Sequence, residues 1–343
     1  MIAVASPRPT IVVLTPVRNE AWILERFLSV TSQFADLIIL ADQGSDDDTA
    51  AIAARFPKVV VVANEDRGFD EAHRQDLLIA AARERAPMPR ILLAFDADEI
   101  LAADAMDRAG WRTMLAAPPG TVLSFERVDL FLTTERCMRH DPWRPLGYVD
   151  DGARHVGRTI HGGRIPLPHG APNLKVADVL LLHYAALRTA GMASKLRWYS
   201  VLENVLGTCP HVLKRRLRYV NHLDFTGHGR IEPSRSEWFA EWERRGIDMR
   251  TVLDPPYHWY DLEVLRAFKR YDTRRFWLDD IWRFDWDACL DWAKSQGFGG
   301  LPGRPVRTAP DWLVFVMRGV EWVHRHQVRA RHRLSGRTSR RFK

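Results

Sequence analysis

No run of apolar residues in this sequence is longer than about six, far short of the roughly 20 that a membrane-spanning helix needs. No spanning helix is therefore expected. The opening residues, MIAVASPRPT, hold no charged stretch ahead of a long apolar one, which argues against a secretory leader. Cysteine is scarce. Cys137, Cys209 and Cys289 lie far apart with no CxxC, which excludes a disulfide framework or a zinc knuckle and predicts buried free thiols in a reducing, cytoplasmic setting. Glycine is missing from the first strand-to-helix turn, TPVRNEA, so neither GxGxxG nor GxxxxGKS is present to cradle a phosphate. An excess of one charge is also missing from most of the chain. The net charge is +7, but eight Arg or Lys and no acid fall between Arg325 and Lys343, leaving 42 basic against 43 acidic residues elsewhere. A near-neutral body argues against nucleic acid as a partner, whose footprint belongs on the fold.

What is there begins with rhythm. IVVLT, ADLIILA, KVVVVAN and RILLAF read as strands. The intervening stretches NEAWILERFLSV, GSDDDTAAIAARF and DEAHRQDLLIAAARER carry helical spacing, the second with Ser45 as its expected N-cap. Strand and helix alternating in this way predict an α/β fold, a mostly parallel sheet with flanking helices. Ligands of such sheets collect at the C-terminal ends of the strands. TVLSFERVDLFL reads as a further strand, and residues 132–175, rich in Pro, Gly, Arg and His, as loops over a site. VADVLLLHYAAL follows as a strand and MASKLRWYSVLEN as a helix. From about residue 206 the pattern is helical and Trp-rich, with nine of the thirteen Trp between Trp238 and Trp322, expected mainly to pack helices.

At the end of the fourth strand, in ILLAFDADEIL, five apolar residues run into Asp96, Ala97, Asp98 and Glu99. Crowded carboxylates beside a core lose water and repel one another. A divalent cation, Mn2+ or Mg2+, held by such acids and by phosphate oxygens would complete them. Asp96 and Asp98, two residues apart around a strand end, can both reach one such ion.

Four segments in register carry a resemblance. TPVRNEAWILERFLSV, LIILADQGSDDDT, DEAHRQDLLIAAA and LLAFDADEIL resemble, in order, the opening turn, the base-recognition turn, the diphosphate helix and the DxD motif of family 2 glycosyltransferases, inverting enzymes of the GT-A fold. The resemblance is close over residues 10–103, loose over 104–200 and absent beyond. It implies a sugar moved from a nucleotide-sugar donor to a glycan or lipid-linked acceptor, in cell-envelope or polysaccharide synthesis. Thr15, Pro16, Arg18, Asn19 and Glu20 would line the nucleotide pocket. Asp42 would meet the base, with Gln43 standing where the family often has a second acid. Arg74 would approach the diphosphate. Asp96 would meet the ribose or the metal, Asp98 would bind the metal, and Glu99 would support them. His183, after VLLL, sits where the family's later metal-binding histidine would fall. The acceptor's base belongs after the DxD: Asp150 and Asp151 are the first choice and His161 the second.

The expected organisation is a GT-A domain over residues 8–205, a helical extension over 206–310 and an amphipathic basic tail over 311–343. In that tail Trp312, Phe315, Val316, Gly319, Val320 and Val323 form an apolar stripe, with Arg318 and the arginines from Arg325 onward nearby. This suits a peripheral contact with the anionic inner face of the plasma membrane. A nucleotidyltransferase making a nucleotide-sugar is the alternative, but it would want a glycine-rich basic loop after the first strand. A non-catalytic protein on the same fold would be expected to lose the DxD first. An EF-hand reading of DQGSDDDT fails for want of the central Gly and terminal Glu.

Overall fold

Ile11–Leu14 are fully buried at the centre of β1 (Thr10–Val17). A strand covered on both faces needs apolar side chains at every position rather than at alternate ones. The same holds for Ile38–Ala41 of β2 (Leu37–Asp42) and for β4 (Arg90–Ala94), whereas β3 (Val59–Ala63) at the sheet edge is half-buried. These four strands are parallel and ordered β3-β2-β1-β4. The computed structural model describes residues 8–65, 69–219 and 230–338.

Helices α1 (Ala21–Thr31), α2 (Thr49–Ala53) and α3 (Glu71–Arg85) connect the strands and divide their side chains between two cores. On one face Ile23, Phe27 and Leu28 of α1 pack with Ile11, Val13, Ile38, Leu40, Ile91 and Leu93. On the other, Leu78, Ile79 and Ala82 of α3 pack with Val12, Leu14, Ile39 and Leu92. Odd and even positions of β1 thus face opposite layers, as the period-2 geometry of a strand requires. The expected α/β sheet with flanking helices is the one observed. The second helix differs: α2 starts at Thr49 with Asp48 as its N-cap, three residues later than expected, because Ser45 is used otherwise. Its hydroxyl accepts from the Asn19 amide and donates to Asp42.

Beyond β4 the sheet becomes mixed. β5 (Glu99–Leu101), α4 (Ala109–Leu115), β6 (Val122–Phe131), β7 (Thr133–Val149) and β8 (Asn173–His183) follow. The spatial order continues β4-β7-β6-β8-β5, with β7 antiparallel to both neighbours and β8 parallel to β6. The first half of the stretch expected as loops is therefore a 17-residue strand. Pro142 and Pro145 hid it. β7 tolerates Pro145 because the register with β6 shifts beside it, between Leu123 and Ser124. α4 lies very close to β8: a β-carbon at Gly110 would stand 1.8 Å from the Ala177 carbonyl oxygen, so only glycine fits there.

The chain divides into two compact units, Met1–Arg188 with Thr226–Leu253, and Thr189–Phe225 with Asp254–Lys343. The expected boundary at residue 205 is not where they part. The sheet unit takes back β9 (Arg230–Pro233), which pairs with β7, and α7 (Glu237–Arg244). Trp238, Phe239 and Trp242 of α7 are buried in the α1-side core, and Trp242 Nε1–H donates to the Leu101 carbonyl at 2.8 Å.

The second unit is built on α5 (Thr189–Leu206), α6 (Val212–Arg218), α8 (Trp259–Tyr271), α9 (Trp286–Ser295) and α10 (Asp311–Thr338). Its aromatics pack helices as expected. The Trp198 ring lies 5.6 Å from Trp259, and Phe268 stands edge-on to Trp286 at 5.0 Å. Buried ion pairs lock the elements, Arg197 to Asp261 and Arg215 to Asp279. The three thiols are free and buried. In the basic tail the Arg and Lys side chains from Arg325 onward lie outside the described residues, as do residues 339–343 entirely.

Candidate active site at the strand ends

β1, β2 and β4 end on one face of the sheet unit, and the turns that leave them are tied together by side chains. Pro16 closes β1 past the last residue paired with β4, Leu14, where a missing N–H costs little. Thr15 lies just inside, fully buried, its hydroxyl oxygen without a hydrogen-bond partner among the described residues. Asn19 takes φ +56° in the β1–α1 turn, and its side chain exchanges hydrogen bonds with Asp46 in the turn after β2. The Glu20 amide donates to Thr49, and the Glu20 carboxylate accepts from Trp22 Nε1 at 2.7 Å. Asp42 ends β2 and accepts from both the amide and the hydroxyl of Ser45, with Gly44 at φ +71° between them. Gln43 is buried, its amide bound to the Val17 carbonyl. The two turns therefore form one preorganised rim holding Asn19, Glu20 and Asp42, with Arg18 on the same turn.

Arg74 enters from the first turn of α3. Its guanidinium lies 5.7 Å from the Phe69 ring centre, and its buried Nε has no hydrogen-bond partner among the described residues. Such a nitrogen costs free energy unless a ligand supplies an acceptor.

The acidic cluster follows β4. Glu99 is fully buried and is the structural member of the group. It accepts from Arg127 at 3.0 Å, from Arg164 at 2.5 Å and from the Asp96 amide at 3.1 Å, which fixes the turn. Burial pushes its carboxyl up, but Arg164 and then Arg127 outweigh this and hold it below its ordinary value. Arg164 also pairs with Asp96, and its own pKa is raised by Asp96 and Glu99 against the opposing effect of burial.

Asp98 faces His183. β8 brings His183 between Glu99 of β5 and Asp129 of β6, which are its register partners on the two sides. Asp129 Oδ1 lies 2.6 Å from His183 Nδ1, and Asp98 Oδ2 lies 3.5 Å from Nε2. Burial and Arg127 lower the imidazole pKa, but Asp98 and Asp129 prevail, and the ring is pushed up to about 9. Among the described residues no group of three or more His, Cys, Asp or Glu is gathered so as to hold a metal alone. The donor chemistry at Asp98 and His183 nevertheless fits a shared site. One carboxylate and one imidazole, the latter oriented by a carboxylate on its other nitrogen, are a common protein contribution to a cation whose remaining positions are filled by phosphate and water. Alanine at His183 is expected to weaken metal dependence by about 10- to 100-fold with little change in melting temperature. A large fall in melting temperature with unaltered metal response would make His183 a packing residue.

The first-choice bases are not at this face. The Asp150 amide donates to the Arg90 carbonyl at the entry of β4, whereas Asp96 follows its exit, about 16 Å away along the strand. The Asp150 carboxylate is fully buried and held by Arg83 at 2.7 Å and Arg90 at 2.6 Å. Asp151 accepts from the Tyr148 hydroxyl at 2.6 Å and closes its own turn through the Ala153 amide. Both carboxylates are thus engaged in contacts at the entry end of β4. His161 is exposed in the loop between β7 and β8, at φ +57°. Its loop runs along α3, tied by His155 to Asp76, by the Gly162 amide to Glu71 and by Arg164 to the acidic cluster.

Sequence reasoning missed Arg127, Asp129 and Arg164. The first two carried a signal: charges two apart in a strand share a face, here opposite the buried Val128 and Leu130. Nothing in the sequence separates Arg164 from Arg154 and Arg158 of the same loop.

These acids and donors stand at the carboxyl ends of parallel strands, where ligands of open α/β sheets collect. Residues 12–119 match the family described as Glycosyl transferase family 2, the family that the four motifs resemble. Among solved structures the chain is similar to glucosyl-3-phosphoglycerate synthase from Mycobacterium tuberculosis, at 21% identity over 36% of this chain and 44% of that one, TM-score 0.26. It is also similar to mannosyl-3-phosphoglycerate synthase from Rubrobacter xylanophilus, at 20% identity over 36% and 41%, TM-score 0.26. A third is 4-diphosphocytidyl-2C-methyl-D-erythritol synthase, at 18% identity over 41% and 75%, TM-score 0.29. The chain spans less than half the length of the first two.

Proposed function

We propose that the protein is a metal-dependent inverting glycosyltransferase. It moves a sugar from a nucleotide-sugar to a hydroxyl of a glycan or lipid-linked acceptor, in cell-envelope or polysaccharide synthesis at the cytoplasmic face of a membrane. The observation that carries this reading is the pairing of Asp98 with an Asp129-oriented His183 at the strand ends, beside a rim of turn residues and the buried unpartnered Nε of Arg74.

In this reading Asp98 and His183 would hold Mn2+ or Mg2+, and Asp96 would meet the ribose or the metal. When bound, the cation stabilises the negative charge that develops on the leaving nucleoside diphosphate. Arg74 donates to the same diphosphate through the nitrogen that lacks a partner. Asp42 and Gln43 meet the base, and Thr15, Pro16, Arg18, Asn19 and Glu20 form the wall of the pocket. Glu99 holds the turn carrying Asp96 and Asp98 by accepting from the Asp96 amide. In the same reading His161, rather than Asp150 with its two arginines or Asp151 with its tyrosine, takes the proton of the acceptor hydroxyl as it attacks the anomeric carbon. A nucleotidyltransferase is disfavoured by the glycine-free turn after β1.

The test is a panel of nucleotide-sugars with Mn2+, read by thermal shift and by release of nucleoside diphosphate. One donor should stabilise the protein and be turned over. In the same assay His161→Ala should leave the thermal shift intact and slow turnover by about 10²- to 10⁴-fold. No shift and no release with any donor would refute donor use. Full turnover by the variant would remove His161 from the mechanism.

A further inference from the structure

α10 exposes the face that an ordinary surface helix buries. Trp312, Phe315 and Trp322 are 66%, 77% and 62% exposed, and Val316, Val320 and Val323 are exposed beside them. At 100° per residue these six and Gly319 occupy an arc of about 160°. Glu321 lies on the opposite side of the helix. It is buried, and its carboxylate pairs with the buried Arg216 of α6. The helix is thus fastened to its own unit by an ion pair and turns its apolar stripe outward. A contiguous outward patch of large apolar side chains marks an interaction surface.

We propose that this stripe of α10 seats on an anionic lipid bilayer surface, lying in the headgroup plane rather than crossing it. No helix of the described residues is long and apolar enough to cross. Two tryptophans and a phenylalanine suit the boundary between headgroups and acyl chains. The charge on the segment chooses lipid over a second copy of the chain. Arg318 flanks the stripe, and no acid follows Glu321 while eight Arg or Lys follow Arg325 inclusive. Two such segments packed face to face would repel, whereas an anionic surface attracts them. Seated in this way, the enzyme would draw its acceptor from lipid-linked saccharides. That consequence rests on the glycosyl-transfer reading; the contact itself does not.

Flotation of the full chain with vesicles tests it. The protein should float with phosphatidylglycerol-containing vesicles at low salt, stay down with phosphatidylcholine alone, and be released at high salt. The double variant Phe315→Ser/Trp322→Ser, checked for an unchanged melting temperature, should lose vesicle binding by about tenfold or more. Wild-type protein that stays down with anionic vesicles overturns the proposal, as does a double variant that floats equally well. So does a stable dimer by sedimentation that the double variant dissociates, which would give the stripe to a second copy. None of these readouts needs a donor, so the bilayer contact and the sugar-transfer reading fail separately.

Discussion

Alanine at Asp98 should abolish metal-dependent binding of a nucleoside diphosphate and lower kcat/KM by about 10³-fold or more, while the melting temperature stays within a few degrees of the parent. The expectation follows from the division of labour in the acidic cluster. Glu99 is the fully buried acid with two arginines and a backbone amide on its oxygens, so it supports the turn. Asp98 is partly open and faces a histidine whose other nitrogen is already committed to Asp129. Removing its carboxylate takes away a ligand without stranding a buried arginine. Calorimetry of a nucleoside diphosphate with Mn2+, with EDTA and with Asp98→Ala measures this. Undiminished affinity in both of the last two would sink the metal bridge.

Asp150→Ala is expected to do the reverse. Breaking a buried ion pair by removing one partner costs about 3–5 kcal/mol, because the remaining charge is left uncompensated. Here two arginines, Arg83 and Arg90, converge on one buried carboxylate. The midpoint of urea unfolding should fall accordingly, and turnover per folded molecule should not. Burial raises the Asp150 carboxyl, but hydrogen bonds from Arg83 and Arg90 more than offset this, leaving it below its ordinary value. A depressed carboxyl contributes stability above its unfolded value of about 3.9 and loses it as pH falls through the lower folded value. The deficit of the variant should therefore be full at pH 7 and shrink below about pH 4. Lost turnover with unchanged stability would return Asp150 to the chemistry.

The sequence announced the parallel half of this sheet because its strands are buried on both sides and its turns carry their chemistry locally. The positions of Asp42, Asp96 and Asp98 at strand ends are legible for that reason. His183 was located through family resemblance, since a lone histidine after an apolar strand says nothing of what it faces. Asp150 misled because acids after a strand look alike from either end. Only the reversal of direction at β7, a strand disguised by two internal prolines, sends it to the entry end of β4. Arg164 reaches the acidic cluster through a loop that follows α3, a path set by long-range contacts such as His155 with Asp76 rather than by local pattern. The helical region was readable in kind but not in allegiance. β9 and α7 belong to the sheet unit although the other unit's segment Thr189–Phe225 stands between.

That allegiance sets an order of events during synthesis. Trp242 closes the core over β5 and caps the Leu101 carbonyl, yet it lies 141 residues later in the chain. At about 5–20 residues per second, the strand bearing Glu99 leaves the ribosome roughly 7–30 s before the side chain that seals it. Through that interval the apolar floor of the acidic turn has no lid. The nascent sheet is then most exposed to aggregation, and the turn beside Leu101 gains its cover only once Trp242 has been made.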